Sequence, residues 1–256
     1  MSTPTGWKRY EDFAAGIDTN RLPTTFALVG RPLTITTADD VLELEFVAGD
    51  QVRWRCEDGS DTDWGEAILV APDTYLVDIT FRSRPREALT LVLDLANRRS
   101  LSVLSIVAPE PTPGQPQVSQ IFSPGVLGEG ALGGTEPAPS RDLIGLRAHY
   151  RYSPNHLYEH TYLSSERYCW QCLEGEQRGH GDVDLASVYK IAEGRYVFTF
   201  REFKIPVASV FFLNFEDRMS TGKFLGITGD GAIANNPAGA TLQRMSQTFY
   251  PDVEPV

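Results

Sequence analysis

Cysteine is scarce, with three residues in 256, too few for a disulfide framework in a chain of this length. Positive charge is short too. Lys and Arg number 23 against 34 Asp and Glu, a formal net charge of −11. Such a chain lacks the basic surface that displaces counterions from phosphates, so nucleic acid is not an expected partner, and neither is an anionic membrane. Long hydrophobic runs are missing: Val207 to Leu213 is typical of the best, well under the roughly 20 residues of a membrane span. The first residues lack the apolar stretch of a signal peptide. These absences predict a soluble, cytoplasmic protein. The charged fraction of 22% and apolar fraction of 41% suit a folded chain, either one large domain or two small ones.

What is present is a repeat. Val52-Arg-Trp54-Arg-Cys56-Glu-Asp58-Gly59 aligns with Tyr168-Cys-Trp170-Gln-Cys172-Leu-Glu174-Gly175 at a constant offset of 116. Upstream, Leu28-Val29-Gly30 matches Leu143-Ile144-Gly145. Downstream, Asp94-Leu95-Ala-Asn-Arg98-Arg-Ser100 matches Asn214-Phe215-Glu-Asp-Arg218-Met-Ser220. Matches in the same order with a slowly drifting offset indicate duplication with small insertions. Between the copies, Pro109 to Pro139 is rich in Pro and Gly, which suit neither a helix interior nor a central strand. The expected organisation is therefore an N-terminal barrel over 1–112, a linker over 113–140 and a C-terminal barrel over 141–256.

Inside each copy the apolar period is two. Leu42, Leu44 and Phe46 alternate with Val41, Glu43 and Glu45; Tyr158, His160 and Tyr162 alternate with Leu157, Glu159 and Thr161. Turn signals such as Ala48-Gly-Asp and Glu193-Gly separate the segments. Each copy reads as seven or eight short antiparallel strands, and the one expected helix lies within Trp7 to Gly16. The fold class is all-β, with two tandem antiparallel barrels as the first architecture and a single larger barrel or a sandwich as the alternatives.

Several segments of the second copy carry a family resemblance. Tyr152-Ser-Pro-Asn-His156-Leu-Tyr158-Glu159-His160-Thr-Tyr162-Leu, Phe200-Arg201-Glu202-Phe-Lys204-Ile-Pro206 and Ser220-Thr-Gly222-Lys223-Phe-Leu-Gly226 resemble the C-terminal domain of the MoaF family. Phe26 to Val107 is similar to its N-terminal domain, and Phe200 stands where the family often has Trp. The resemblance implies a pair of calycin-like, lipocalin-type barrels. It also carries the label of molybdenum-cofactor biosynthesis protein F, and MoaF genes are associated with monoamine metabolism too. The residues add no support for the cofactor pathway: there is no Walker-type loop, no iron–sulfur Cys cluster and no basic pocket for a pterin phosphate.

Comparison of the copies suggests where chemistry sits. Leu42, Leu44 and Phe46 become Tyr158, His160 and Tyr162. Val52 becomes Tyr168, and Phe81 becomes Glu202. Copy one reads as a filled, inert core, whereas copy two places ionisable and hydroxyl groups at matching inward positions, where they are costly unless paired or used. The candidate catalytic residues are His160 and Glu202 for proton transfer, with Tyr158 and Tyr162 as hydrogen-bond donors. Tyr168, Trp170, Tyr189, Phe198 and Phe200 are expected to wall the substrate, with Lys204 at the mouth and Arg201 pointing outward. A buried polar network that merely knits the barrel accounts for the same residues about equally well.

Other chemistries lack support. His156 and His160 are four apart, which on a strand spans roughly 13 Å, too far to share an ion. Asp182, Asp184 and His180 offer no further ligand. Cys169-Trp-Gln-Cys172 lies on a strand, where residues three apart face opposite sides. There is no Gly-x-Ser-x-Gly elbow, and Gly128-Glu-Gly130 is not followed by a βαβ unit. No metal and no cofactor are expected. The first functional expectation is a cofactor-independent acid–base enzyme, a lyase, isomerase, cyclase or decarboxylase acting on a small aromatic or apolar substrate. The alternatives are a non-catalytic ligand-binding or accessory protein, including one for molybdenum cofactor synthesis, and a protein with no ligand at all. The oligomeric state is open, a homo-oligomer included.

Overall fold

The computed structural model describes residues 8–250. Its first barrel is closed and consists of β1 (Pro32–Thr37), β2 (Val41–Ala48), β3 (Gln51–Cys56), β4 (Gly59–Ala71), β5 (Thr74–Thr80), β6 (Glu87–Asp94), β7 (Arg99–Val107) and β8 (Val118–Leu127). Neighbours are antiparallel, and β1 closes on β8 through pairs such as Ile35 with Leu127. The second barrel follows β9 (Ala138–Pro139), a two-residue strand beside β13. It comprises β10 (Leu146–Ser153), β11 (His156–Tyr162), β12 (Arg167–Glu174), β13 (Gly181–Ala192), β14 (Arg195–Arg201), β15 (Val207–Asn214), β16 (Met219–Ile227) and β17 (Ile233–Gln247). It closes where β10 pairs with β17, Tyr150 opposite Leu242. The architecture is the pair of all-β, calycin-like barrels expected, with one short helix, α1 (Tyr10–Ala14). Trp7, the expected start of that helix, lies outside the described residues. No helix among the described residues is long and apolar enough to cross a membrane.

The alternating residues sort as a pleat requires. Leu44, Phe46, Val52 and Trp54 are buried in the first core, while Glu45 and Arg53 face outward and pair at 2.8 Å. The repeat extends to backbone geometry. Arg98 and Arg218 both take a left-handed conformation, φ 57° and 56°, which a non-glycine residue adopts only where its surroundings fix it. In both turns the side chain four residues earlier, Asp94 or Asn214, accepts backbone N–H bonds. The carbonyl of the arginine itself accepts from Leu127 or Leu242.

The chain divides differently from the expected 1–112, 113–140 and 141–256. One compact unit contains 22–106 and 120–138. The other contains, of the described residues, 8–21, 107–119 and 139–250. The stretch expected as a linker supplies β8, the last strand of the first barrel, which runs through Pro124 and Gly125. The N-terminal segment belongs to the second barrel's core, where Tyr10, Phe13 and Ile17 are buried. Tyr10 Oη donates to the Phe224 carbonyl at 2.8 Å, and the Phe13 ring meets Phe224 edge-on at 6.0 Å. Spacings of three and four residues let one face of this segment enter the core.

Candidate functional site

Inside the second barrel, β11 directs Tyr158, His160 and Tyr162 inward, and the neighbouring β12 directs Tyr168 and Trp170 beside them. Glu202 follows the last residue of β14, where its backbone N–H donates to the Val207 carbonyl at 3.0 Å. Tyr158, His160, Tyr168, Trp170, Phe200 and Glu202 line one cavity of about 30 Å³, closed on another side by Phe13 and Ile17. That volume is room for a water or two, not for a substrate.

The groups there are held neutral. His160 is 4% exposed and stacks on Tyr150 with ring centroids 4.1 Å apart. Its Nδ1 is buried with no hydrogen-bond partner. Burial pushes its pKa down to about 3, against a smaller opposing pull from the Glu159 carboxylate. Burial likewise holds Glu202 well above the usual carboxylate range, reinforced by the nearby Asp184 and Asp182 charges and opposed by Lys204. Burial also raises the Tyr168 pKa. Tyr158 donates to Gln177 Oε1 at 2.8 Å.

The remaining expected residues sit elsewhere. Tyr162 and Phe198 lie behind the cavity wall. The Tyr162 hydroxyl bonds to that of Tyr150, and Phe198 packs its ring 5.8 Å from His160. Tyr189 is a correction. On β13 the inward residues are Asp184, Ala186 and Val188, so parity turns Tyr189 to the outer face. Lys204 also misses the cavity and pairs with Asp182 at 2.8 Å. Arg201 faces outward as parity requires, yet it is largely shielded from solvent. It donates to Ser187 and Thr199, and burial pushes its pKa down to about 10.

Sequence reasoning missed a duplicated bond. Trp170 Nε1 donates to Asp184 Oδ2 at 2.9 Å, and Asp184 Oδ1 accepts from the Phe203 N–H. In the first barrel Trp54 Nε1 donates to Asp63 Oδ2 at 2.9 Å, and Asp63 Oδ1 accepts from the Arg82 N–H. The signal was available: Asp63 and Asp184 differ by 121, as do Tyr75 and Tyr196. The rise from 116 to 121 between Cys56/Cys172 and Asp63/Asp184 marks an insertion in copy two. Gln177 stands in that insertion. Asp184, mainly through burial, is pushed up to about 6.

Among the described residues no group of three or more His, Cys, Asp or Glu is placed to hold a metal ion. Cys169 and Cys172 are free thiols on β12, the second buried and the first half-buried. The expected inert filling of the first barrel is overturned. At the position matching Tyr158, Trp170 and Glu202 it holds a cavity of about 200 Å³, lined by Leu42, Trp54 and Phe81 among others.

Comparison with known proteins agrees with the repeat. The family model described as the MoaF N-terminal domain matches residues 5–108, and that of the MoaF C-terminal domain matches 137–248. Protein MoaF of Klebsiella aerogenes is 31% identical over 247 residues, covering 90% of this chain and 91% of its own. Among solved structures, a putative β-lactamase from Burkholderia vietnamiensis aligns with 40% of this chain and 95% of its own, at 12% identity and a TM-score of 0.34. The DNA polymerase III β chain of Streptococcus pneumoniae aligns with 90% of this chain and 82% of its own, at 9% identity and a TM-score of 0.15. Structural likenesses that weak carry no argument. The sequence matches over both barrels do, and the chain belongs to the MoaF family.

Proposed function

We propose that the second barrel binds a small aromatic or otherwise largely apolar molecule and moves a proton on it without a cofactor, in the cytoplasm. The reaction class is that of a lyase, isomerase, cyclase or decarboxylase. The observation that carries this reading is His160 Nδ1, buried without a hydrogen-bond partner in a cavity that Tyr168 and Glu202 also line. A buried polar group without a partner costs about 1–3 kcal/mol, which favours a ligand that satisfies it. Burial favours the proton-carrying form of Glu202, which acts as the acid, and the neutral form of His160, which acts as the base. The Tyr168 hydroxyl donates to the oxygen on which charge develops, and Trp170 and Phe200 hold the flat face of the substrate. Entry requires Phe13 and Ile17 to withdraw, because the closed cavity is too small for a substrate.

The closed cavity also favours a second reading, a non-catalytic carrier or accessory protein whose ligand opens the barrel. One experiment separates the two. Thermal-shift screening of aromatic acids, phenols, amines and pterins on the wild type and on Glu202→Gln identifies ligands, since a ligand at 100 times its Kd stabilises by about 2.7 kcal/mol. Product analysis then follows. The enzyme reading expects turnover that falls about 10²- to 10⁴-fold in Glu202→Gln and in His160→Ala. Binding without product supports the carrier, and near-full rates in both variants reject this mechanism.

A further inference from the structure

The two barrels share a cavity position and differ in what fills it. In the second, Phe13 and Ile17 reduce the space to about 30 Å³. In the first, about 200 Å³ stays open between the apolar side chains of Leu42, Ile79, Leu104 and Ile121 and an aromatic corner. The corner is Trp54 and Phe81, edge to face with centroids 5.2 Å apart. Its geometry is held from both sides: the Trp54 indole N–H is anchored on Asp63, and the Arg84 guanidinium lies 4.0 Å from the centre of the Phe81 ring. An apolar cavity of about 150 Å³ is enough for a benzene ring, so this one has room for a ring and a substituent.

Polarity narrows the choice further. Ser102 on β7 and Ser123 on β8 line the cavity and offer it two hydroxyls. At the rim stand Asp39, Asp40 and Asp58, which oppose a carboxylate ligand. Arg84 does not offset them, because Glu87 lies 3.0 Å away and compensates its charge. A cation would be drawn to the same rim but would meet no carboxylate deeper in, because the acidic side chains of the lining are Asp39, Asp40 and Asp58, all at the rim. We propose that the first barrel binds one uncharged single-ring aromatic molecule bearing a hydroxyl group. The ring lies against Trp54 and Phe81, and the hydroxyl bonds to Ser102 and Ser123.

The test uses the full chain, with phenol as the probe and toluene as its counterpart without the hydroxyl. Titration calorimetry is expected to show phenol binding at one site with a Kd on the order of 1 mM or tighter, a range open to so small a ligand. Leu104→Trp fills the cavity and is expected to weaken phenol by at least about tenfold. If that variant does not fold, Ile121→Trp, at a position 53% exposed, blocks the mouth with the core left alone. The pair Ser102→Ala and Ser123→Ala is expected to weaken phenol about fivefold and leave toluene within about twofold, the mark of a lost hydrogen bond. Glu202→Gln, in the other barrel, is expected to leave the Kd of phenol unaltered. No phenol binding, or binding indifferent to both tryptophan variants, overturns the proposal. Binding abolished by Glu202→Gln also overturns it and assigns phenol to the second barrel.

Discussion

A histidine and a glutamate in one cavity pull stability in opposite directions as pH changes. Burial pushes the pKa of His160 in the folded chain down to about 3, against about 6.5 when unfolded. Between those values the unfolded chain holds the extra proton, so stability grows as pH rises and is lost as pH falls through the window. Glu202 is the reverse. Its folded pKa is raised, so above the unfolded value of about 4.3 the folded chain holds the extra proton and stability declines as pH rises toward the folded pKa. Urea midpoints measured from acid to alkaline pH are expected to show His160→Gln flattening the acid side and Glu202→Gln flattening the neutral-to-alkaline side. Each change is at most about 1.4 kcal/mol per pH unit, the value of one proton. Unchanged slopes in both variants would mean that neither group is desolvated as described. The Trp–Asp bond, by contrast, recurs in both barrels and belongs to the scaffold.

At the scale of elements, the N-terminal segment closes the second barrel. Beyond Tyr10 and Phe13, the Ile17 carbonyl accepts from the Gly239 N–H at 2.9 Å, and Asn20 bonds to the backbone of Arg151 and Tyr152. Gly239 has to be glycine, because a Cβ there would lie 2.3 Å from the Arg21 backbone. Phe13→Ala removes a ring from a packed core and is expected to destabilise the chain by about 3–5 kcal/mol in denaturant unfolding. It also enlarges the cavity, so a ligand of the second barrel is expected to bind faster to Phe13→Ala than to the wild type in stopped-flow measurements. A loss of stability with an unchanged association rate would make the segment purely structural.

For the whole molecule, order along the chain and membership of a folded unit diverge. The N-terminal family match covers 5–108, yet Tyr10, Phe13 and Ile17 pack in the core of the second barrel. A chain beginning at Leu22 therefore has a definite expected signature in hydrogen exchange. Protection falls in β15 and β16, around Phe211 and Phe224, and persists in β2 to β6. Loss of protection in the first barrel instead would reject the assignment of the segment to the second.

The sequence by itself determined the duplication, the alternation of inward and outward residues and the asymmetry of the two interiors. Each is written in local order: a constant offset, a period of two, and Leu44 or Phe81 standing where His160 or Glu202 stands in the other copy. Tertiary structure decided what depends on closure and volume. Pro124 and Gly125 read as breaks, yet β8 is a strand because β1 supplies its partners across the barrel. Tyr189 fails as a wall residue because register against β14 puts Val188 inside. The open space in the first barrel and the plug in the second follow from how far side chains reach across an interior, a sum over eight strands that no single stretch of sequence contains.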